Sequence, residues 1–254
     1  MTKSVARGVL RAHGFELVRT ARMEWLETHI AANDFACRQG LDILELALHK
    51  LASVHSRPFF VQIGANDGLR DDDLRSHILA FQMEGILVEP QPGAFTRLAA
   101  NYSGQPGLRF ENAAITKDSG SATLFGFSDR DRFTNLDVFS SFDYQYVRRI
   151  RDEFRVTSPI EGFQVPALSL ADLLTKHGVS RLDVLVIDTE GYDFEIIKTI
   201  DFGTIAPPII QFEHINLSPA ERLECNRMLA AEGYRLGMSV RDTIALRHDC
   251  FGAG

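Results

Sequence analysis

The chain is poor in the features that mark secreted, membrane-spanning and metal-stapled proteins. Its 254 residues include three cysteines and one tryptophan, and the sequence has no Cys-x-x-Cys metal pair. No apolar run approaches the roughly 20 residues that cross a bilayer, and the N-terminus lacks the apolar core of a signal peptide. These absences predict reduced thiols in a reducing compartment, and we expect a cytoplasmic protein.

An excess of positive charge is also missing. The formal net charge is −7, which argues against nonspecific nucleic-acid binding as the main activity. The Gly-x-Gly-x-x-Gly fingerprint of dinucleotide sites and the His-x-x-x-His pair of zinc sites are both absent. What remains is an ordinary globular composition, 45% hydrophobic and 24% charged, long enough for one α/β domain with a modest extension.

Strand and helix patterns alternate along residues 58–254, which predicts a mostly parallel sheet covered by helices. The predicted strands are residues 59–63, 85–90, 108–115, 184–187 and 209–212, an added edge strand at 121–127, and a closing antiparallel hairpin at 234–240 and 243–246. A helix over residues 40–54 is predicted to cover the sheet, and another is predicted to begin near Gly68. Ser218 is predicted to cap a helix that ends near Ala231.

Residues 1–57 are predicted to form a helical extension. Its first 22 residues carry five basic side chains and one acid, a pattern that suits contact with an anionic membrane or a partner protein. A solvated helix packed on the domain is the simpler interpretation. Residues 128–163 are too long for a plain connection and are rich in aromatic residues and arginines, which predicts a lid-like insertion or a surface subdomain that supports a homo-oligomer.

Together these elements predict an α/β fold of three layers, Rossmann-like, with a seven-stranded, mostly parallel sheet that ends in an antiparallel hairpin. Six parallel strands and one reversed strand are the architecture of class I methyltransferases. A dinucleotide dehydrogenase is expected to end on parallel strands instead.

The turn after the first strand carries the strongest functional signal. It contains Gly64, Ala65, Asn66, Asp67 and Gly68. Glycine lets a backbone pass close under a bulky ligand, and strand, glycine turn and helix together build nucleotide sites in open α/β sheets. The Gly-x-x-x-Gly spacing favours a ligand with ribose hydroxyls and no phosphates, and S-adenosyl-L-methionine is the leading candidate.

The second and third strands extend this predicted cofactor site. Glu89 ends the second strand, where a carboxylate can accept both ribose hydroxyls in charge-assisted hydrogen bonds. Asn112 could bond the adenine edge beside the small Ala113, or it could satisfy backbone groups at a strand end.

Acidic residues and a histidine end the fourth and fifth parallel strands. Asp188 follows an apolar run, and Glu190 shares its face if the strand persists. With Glu213 they could hold a Mg²⁺ ion, or leave one carboxylate as a base. His214, with a reference pKa near 6.5, is a second candidate base. The alternatives are that Asp188 caps the next helix, that Glu190 is solvated and that His214 is structural.

Six segments occur in one order and match a known family. They are residues 61–68 (VQIGANDG), 88–90 (VEP), 112–114 (NAA), 165–174 (VPALSLADLL), 187–191 (IDTEG) and 212–214 (FEH). Together they resemble the FkbM-family methyltransferases over residues 58–250. The resemblance implies a class I methyltransferase fold, S-adenosyl-L-methionine as donor, and O-methylation of a hydroxyl on a sugar, glycan or natural product. Gln62 departs from the family pattern, since an acidic residue is common there.

Two rival interpretations stay open. A degenerate methyltransferase domain could serve as a scaffold or binding protein, although Gly64, Gly68, Glu89 and Asp188 are all intact. The other is a nucleotide-dependent oxidoreductase on a related sheet. This chain lacks the Gly-x-Gly-x-x-Gly fingerprint and the parallel closing strands that such an enzyme is expected to have.

Overall fold

The computed structural model describes residues 43–70, 72, 74–128 and 139–247. Most of the predicted helical extension, residues 1–42, and part of the predicted insertion, residues 129–138, lie outside the described residues. The helices are α1 (Ile43–Val54), α2 (Arg75–Phe81), α3 (Pro92–Asn101), α4 (Tyr144–Glu153), α5 (Leu170–Lys176), α6 (Asp193–Ile197) and α7 (Pro219–Ala231). The strands are β1 (Phe59–Ile63), β2 (Glu84–Val88), β3 (Leu108–Glu111), β4 (Ala114–Ile115), β5 (Gly120–Phe127), β6 (Ile160–Leu168), β7 (Val184–Ile187), β8 (Ile209–Glu213), β9 (Tyr234–Met238) and β10 (Asp242–Arg247).

Seven strands form the main sheet in the order β3-β2-β1-β7-β8-β10-β9. The strands from β3 to β8 pair in parallel, and β10 runs antiparallel to both β8 and β9. Six strands therefore share one direction and one is reversed, as the sequence predicts. Strands β2 and β3 are added on one side of β1, and β7 and β8 on the other. The strand order therefore switches between β1 and β7, and open α/β sheets form their ligand crevice at such a switch point.

Helices cover both faces of this sheet. One face carries α1, α2 and α3, whose apolar residues, such as Leu48, Ile78 and Leu98, pack on Phe60 and Leu87 of the strands. The other face carries α5, α6 and α7, which pack on the opposite side chains of β1, β7 and β8. Each fully buried aliphatic side chain contributes roughly 1.5–3 kcal/mol to folding. The predicted three-layer sandwich, with a helix before β1 that covers the sheet, is confirmed.

A second, three-stranded sheet, ordered β4-β6-β5, is a feature that the sequence did not predict. The predicted single strand over residues 108–115 is wrong, because the chain leaves the main sheet after Glu111 and pairs Ala114 with Ala167. The predicted edge strand at residues 121–127 exists, but it pairs antiparallel with β6 rather than with the main sheet. Part of β6 lies within the region predicted to be a lid.

Capping explains where two helices begin. Ser218 and Glu221 form the predicted capping box at the start of α7. Helix α2 begins at Arg75, later than the predicted start near Gly68, because Asp67 and then Asp72 accept backbone N–H groups in successive turns. In the part of the chain that the structure describes, none of the helices has the length and apolar character needed to cross a bilayer.

Candidate functional site

A cavity of about 390 Å³ opens at the carboxyl ends of β1, β2 and β7. This volume lies in the range of small-molecule sites. Its lining comes from five regions: helix α1, the β1 and β2 ends, the second sheet, the insertion, and the ends of strands β7, β8 and β10. The lining includes Leu44, Gln62, Gly64, Ala65, Asn66, Asp72, Glu89, Ala113, Leu124, Phe139, Ser140, Phe142, Phe154, Asp188, Thr189, Glu190, Gln211, Arg241 and Asp242.

The glycine turn owes its two glycines to the protein's own packing. Gly64 has φ +82°, and a Cβ built on it would lie 1.8 Å from the backbone oxygen of Asp188. Gly68 has φ +69°, and its Cβ would lie 2.5 Å from the ring of Tyr102. Only glycine fits both positions. The obstacles are Asp188, just after β7, and Tyr102 at the end of helix α3. The close approach of this turn to a ligand stays a prediction.

Asp67 and Asn66 shape the same turn in different ways. Asp67 is buried, and its carboxylate accepts the N–H groups of Leu69 and Arg70 and the side chain of Arg70, at 2.7 Å. These bonds lower the pKa of Asp67 despite the opposing effect of burial. Asn66 has φ +46° and lines the cavity. Of the five predicted cofactor residues in the turn, Gly64, Ala65 and Asn66 reach the cavity, and Asp67 and Gly68 support them.

Glu89 is the buried carboxylate of the cavity, with 5% of its surface exposed. One oxygen accepts the N–H of Asn66 at 2.9 Å and the other accepts the N–H of Gln91 at 2.8 Å. Burial raises the pKa of Glu89 to about 7, and these two hydrogen bonds oppose the rise. A carboxylate can accept about four hydrogen bonds, so Glu89 keeps capacity for two ligand hydroxyls.

Ala113 lines the cavity, whereas Asn112 fastens the backbone beside it. The side-chain amide of Asn112 donates to the carbonyl oxygens of Glu89, at 2.8 Å, and Pro90, at 3.1 Å. Asn112 thus holds the end of β2 and turns the chain away from the main sheet after β3. The structure shows the backbone contacts that were the alternative for this residue, and a contact with adenine stays a prediction.

Asp188 and Glu190 bring two carboxyl groups to the cavity just after β7. The pKa of Asp188 is raised well above its usual range, first by the surrounding protein and then by the charges of Glu190 and Glu213. The pKa of Glu190 is raised to about 7 by burial and by Glu213. Carboxylates with raised pKa values in a cleft are suited to accept a proton near neutral pH.

Glu190 and Glu213 are held together by a shared donor. The amide of Asn216 donates to Glu190 Oε2 at 2.9 Å and to Glu213 Oε2 at 2.6 Å. The hydroxyl of Tyr146 also donates to Glu190 Oε2, and Arg241 donates to Glu213 Oε1 at 2.6 Å. These donors offset the repulsion between the two carboxylates.

Oxygens of Asp188, Glu190 and Glu213 lie within 4.8 Å of one another, close enough for a common metal ion. Glu213 is fully buried behind the cavity and already bonds Arg241. A guanidinium thus supplies part of the positive charge that a metal would bring.

Asp193 is a buried acid that the sequence pattern does not single out. It accepts the hydroxyl of Thr189 at 2.9 Å and the N–H of Glu213 at 3.1 Å. Burial and the charge of Asp188 raise its pKa to about 8. Asp193 therefore links the turn after β7 to the end of β8 and places Glu190 and Glu213 side by side. The Asp-x-x-x-x-Asp spacing from Asp188 is visible in the sequence, but its meaning depends on contacts between distant segments.

The structure does not bring His214 to the cavity lining. Its side chain is 3% exposed, and its Nδ1 shares a hydrogen bond of 3.1 Å with the hydroxyl of Thr243. Burial and the charge of Arg222 lower its pKa. His214 follows the last residue of β8, and its ring is buried against Thr243 of β10 rather than facing the cavity. Within the described residues, the contacts of His214 are those of a structural residue.

The insertion contributes an aromatic wall to the cavity. Phe139, Phe142 and Phe154 line the cavity, and Phe142 packs edge-on against Tyr192 with ring centroids 4.8 Å apart. The hydroxyl of Ser141 donates to the backbone oxygen of Glu190 at 3.0 Å. The insertion is therefore fastened to the β7–α6 turn, and it supplies one side of the cavity.

The sheet order defines a class I methyltransferase fold, and the cavity lies at its switch point. The Methyltransferase FkbM domain family matches residues 62–236, more than half of the chain. The chain belongs to this family of methyltransferases, and the family implies S-adenosyl-L-methionine as the methyl donor.

The solved structures that resemble the chain share little of its sequence. Methyltransferase FkbM from Methylobacillus flagellatus KT superposes with a TM-score of 0.48 at 10% identity, over 75% of this chain and 44% of that one. The chain thus spans less than half the length of that protein. Precorrin-6y C5,15-methyltransferase from Geobacter metallireducens GS-15 gives 0.43 at 11% identity, over 80% and 86%. Human methyltransferase 10 domain containing protein gives 0.41 at 9% identity, over 96% and 95%. No curated protein matches the chain.

Proposed function

We propose that the protein is an S-adenosyl-L-methionine-dependent O-methyltransferase whose acceptor is a hydroxyl of a sugar, a glycan or a natural product. The observation that carries the proposal is that one cavity holds both Glu89 and the Asp188–Glu190 pair. A ribose-binding carboxylate at one end and proton-accepting carboxylates at the other suit a donor and an acceptor bound side by side.

The residues at the β1 and β2 ends fit the donor that the family implies. Glu89 has hydrogen-bonding capacity for two ribose hydroxyls, the small Ala113 leaves room for a flat ring, and Asn66 and Ala65 form the adjacent wall. When bound, the donor supplies a methyl group on a positively charged sulfur. The protein's own task is then to place a hydroxyl oxygen in line with that methyl group, since positioning supplies much of the rate.

Asp188 is the best-placed base in this proposal. It lines the cavity with an exposed side chain, and the surrounding protein and the neighbouring charges of Glu190 and Glu213 raise its pKa, which makes the ionised carboxylate a stronger base toward a hydroxyl proton. Asp188 would take the hydroxyl proton while a bound donor gives up its methyl group to the hydroxyl oxygen, the sulfur–methyl bond breaking as the oxygen–methyl bond forms and S-adenosylhomocysteine leaving. Glu190, fixed by Tyr146 and Asn216, lies ready to orient the same hydroxyl.

A Mg²⁺ ion held by Asp188, Glu190 and Glu213 is the other way to activate the hydroxyl, because a bound metal lowers the pKa of an oxygen ligand. The separation of 4.8 Å or less between the three carboxylate oxygens supports this version. The hydrogen bonds that Glu213 already makes to Arg241 and Asn216 favour the metal-free one.

The test is transfer of a labelled methyl group from S-adenosyl-L-methionine to a panel of glycans and hydroxylated natural products, read by mass spectrometry. We expect label on oxygen in at least one acceptor. Label on nitrogen or carbon would contradict the O-methyltransferase proposal. Binding of NAD(H) in place of S-adenosylhomocysteine would support the oxidoreductase instead. A parallel series with a chelator separates the metal-assisted version, which stops, from the carboxylate version, which continues.

A further inference from the structure

A positively charged side chain lies among the three carboxylates at the ends of β7 and β8. These are Asp188, Glu190 and Glu213, whose oxygens lie within 4.8 Å of one another, and we call them the acid cluster. Arg241, in the turn between β9 and β10, donates to Glu213 Oε1 at 2.6 Å. Carboxylate oxygens are the usual ligands of a divalent ion, and here an arginine already brings positive charge to them.

The backbone of the protein fixes the place of Arg241. Its carbonyl oxygen accepts the N–H groups of His214, at 2.8 Å, and Ile215, at 3.2 Å, directly after β8. The hydroxyl oxygen of Ser239 accepts the N–H of Arg241 at 3.2 Å and so closes the turn. The turn is therefore tied to the strand end that carries Glu213, and the fold itself brings the guanidinium to the acid cluster.

The charge of Arg241 interacts with all members of the acid cluster. The hydrogen bond to Glu213 raises the pKa of Arg241, burial opposes the rise, and the charges of the three carboxylates raise it further. Among the lining residues that the structure describes, the other positive side chain is Arg70, which bonds a carboxylate of the glycine turn instead. Arg241 is therefore the cation at the acidic end of the cavity.

A metal ion would compete with this arginine for the same oxygens. Mg²⁺ binds carboxylate oxygens at about 2.0–2.1 Å and Ca²⁺ at about 2.3–2.6 Å. Both oxygens of the buried Glu213 already accept a nitrogen donor at 2.6 Å, Arg241 on Oε1 and Asn216 on Oε2. An ion bound to Glu213 would lie close to the guanidinium, and like charges repel strongly where water is excluded. The acid cluster therefore suits a guanidinium better than a divalent ion.

We infer that Arg241 is the permanent cation of the acid cluster, that it keeps a divalent ion out, and that methyl transfer proceeds without a metal. This inference rests on the acceptor end of the proposed function and decides between its two versions. Arg241 lines the cavity with a side chain that is 63% exposed, and among the described residues it makes one side-chain hydrogen bond. A guanidinium has several N–H donors, so the others are open to an acceptor oxygen on which negative charge develops.

The test measures Mn²⁺ binding by electron paramagnetic resonance, with Mn²⁺ as the probe for a divalent ion and with no donor or acceptor present. The variant is Arg241→Met, which keeps an unbranched side chain and removes its charge. We expect wild type to bind Mn²⁺ weakly and Glu213→Gln not to change that binding. Arg241→Met should gain about tenfold or more in Mn²⁺ affinity, because a repelling charge is gone. Adding Glu213→Gln to this variant should abolish the gain, because one ligand of the new site is lost.

Arg148→Met is the matched control, because Arg148 is an exposed arginine of α4 whose partner, Asp152, lies on the same helix. It should bind Mn²⁺ like wild type. Arg241→Lys keeps a positive charge in the turn and should also stay close to wild type. Mn²⁺ binding by wild type that Glu213→Gln removes would overturn the inference. A folded Arg241→Met that gains no affinity would overturn it as well.

Urea unfolding shows whether the variants fold and gives a second readout. Arg241→Met leaves the buried carboxylate of Glu213 without its charged partner, so this variant should be less stable than wild type. Mn²⁺ should restore stability to the variant and leave that of wild type unchanged, because a ligand stabilises the folded state that binds it. If the methionine variant does not fold, Arg241→Gln, which keeps a hydrogen-bond donor without the charge, takes its place in both measurements.

Methyl transfer is measured separately, with the acceptor that the labelling screen identifies. A chelator should leave wild-type turnover unchanged. Turnover that a chelator stops and Mg²⁺ restores would overturn the inference while leaving the proposed function intact. A screen without any methylated acceptor would overturn the proposed function and, with it, metal-free transfer. The Mn²⁺ measurements would then still decide whether Arg241 keeps an ion out of the acid cluster.

Discussion

The backbone oxygen of Asp188 occupies the space that any side chain on Gly64 would need, since an ideal Cβ there would lie 1.8 Å away. The N–H of Asp188 donates to the carbonyl of Ile63 at 2.9 Å, so the ends of β1 and β7 are bonded as well as touching. The contact between Gly64 and Asp188 therefore joins the glycine turn to the residue that we propose as the base. In the proposed function, the donor and acceptor sites share this backbone junction.

Gly64→Ala should destabilise the protein by about 3 kcal/mol or more, because it adds a clash to an unfavourable backbone conformation. Urea unfolding measures the change. Gly178→Ala is the matched control, since Gly178 has φ +62° and an ideal Cβ there would meet nothing within 4 Å. It should cost only about 1–2 kcal/mol, the penalty of the left-handed region. Similar losses for the two variants would mean that the contact with Asp188 is not limiting.

The sequence predicted the main sheet well, because its strands are short apolar runs that end at recognisable turns. Strand β7 (Val184–Ile187), for example, is entirely buried and is followed directly by Asp188. The second sheet escaped prediction because β6 alternates weakly and is largely exposed along its first half. The break after β3 depends on Asn112 reaching back to the carbonyl of Glu89, a contact that no local pattern reveals.

The candidate site was predictable to the extent that it follows from strand ends. The rule that ligands bind beyond the carboxyl ends of parallel strands placed Glu89 and Asp188 correctly at the cavity. It did not separate Glu213 from His214, because the direction of each side chain depends on the register of β8. It also missed Tyr146, Asn216 and Arg241, whose contacts with Glu190 and Glu213 form only in the folded chain.

Donor affinity should rise with pH through the titration of Glu89. Its pKa is raised to about 7, so the protonated form is common at pH 6 and the carboxylate dominates at pH 8. An ionised carboxylate is the stronger acceptor for ribose hydroxyls. Calorimetry with S-adenosylhomocysteine should therefore show a gain of up to about tenfold between these values. Glu89→Gln should bind about tenfold more weakly at pH 8 and lose most of this pH dependence.

Stability should fall as pH rises through the titration of Glu190. Its pKa is raised from 4.5 to about 7 in the folded protein, so between those values the folded state binds more protons than the unfolded state. The free energy of unfolding then decreases with rising pH across that window and levels off above it. Urea unfolding at pH 5.5 and pH 8 measures the difference.

Glu190→Gln should reduce this difference by about 1 kcal/mol or more. Asp193, whose pKa is raised to about 8 by burial and by Asp188, should keep part of the pH dependence in the variant. A variant with the same pH dependence as wild type would show that Glu190 does not hold a proton in the folded state.

We expect substitutions of Asp188 and His214 to have different effects on the transfer reaction. Asp188 lines the cavity, while His214 is buried against Thr243. Asp188→Asn keeps the shape of the side chain but removes the base, so kcat should fall by about 10²–10⁴-fold. Affinity for S-adenosylhomocysteine should change little. His214→Asn can still bond Thr243, and it should keep kcat within about threefold of wild type, with any loss appearing in stability.

The measurement is kcat for methyl transfer to the acceptor that the labelling screen identifies, together with calorimetry and urea unfolding for each variant. A large fall in kcat for His214→Asn, with folding and donor affinity intact, would move the base to His214. The buried bond to Thr243 would then have to open during the reaction, because Nδ1 is engaged there and the ring does not line the cavity. His214→Asn and Asp188→Asn therefore decide between a base fixed at the cavity surface and one that must move to reach it.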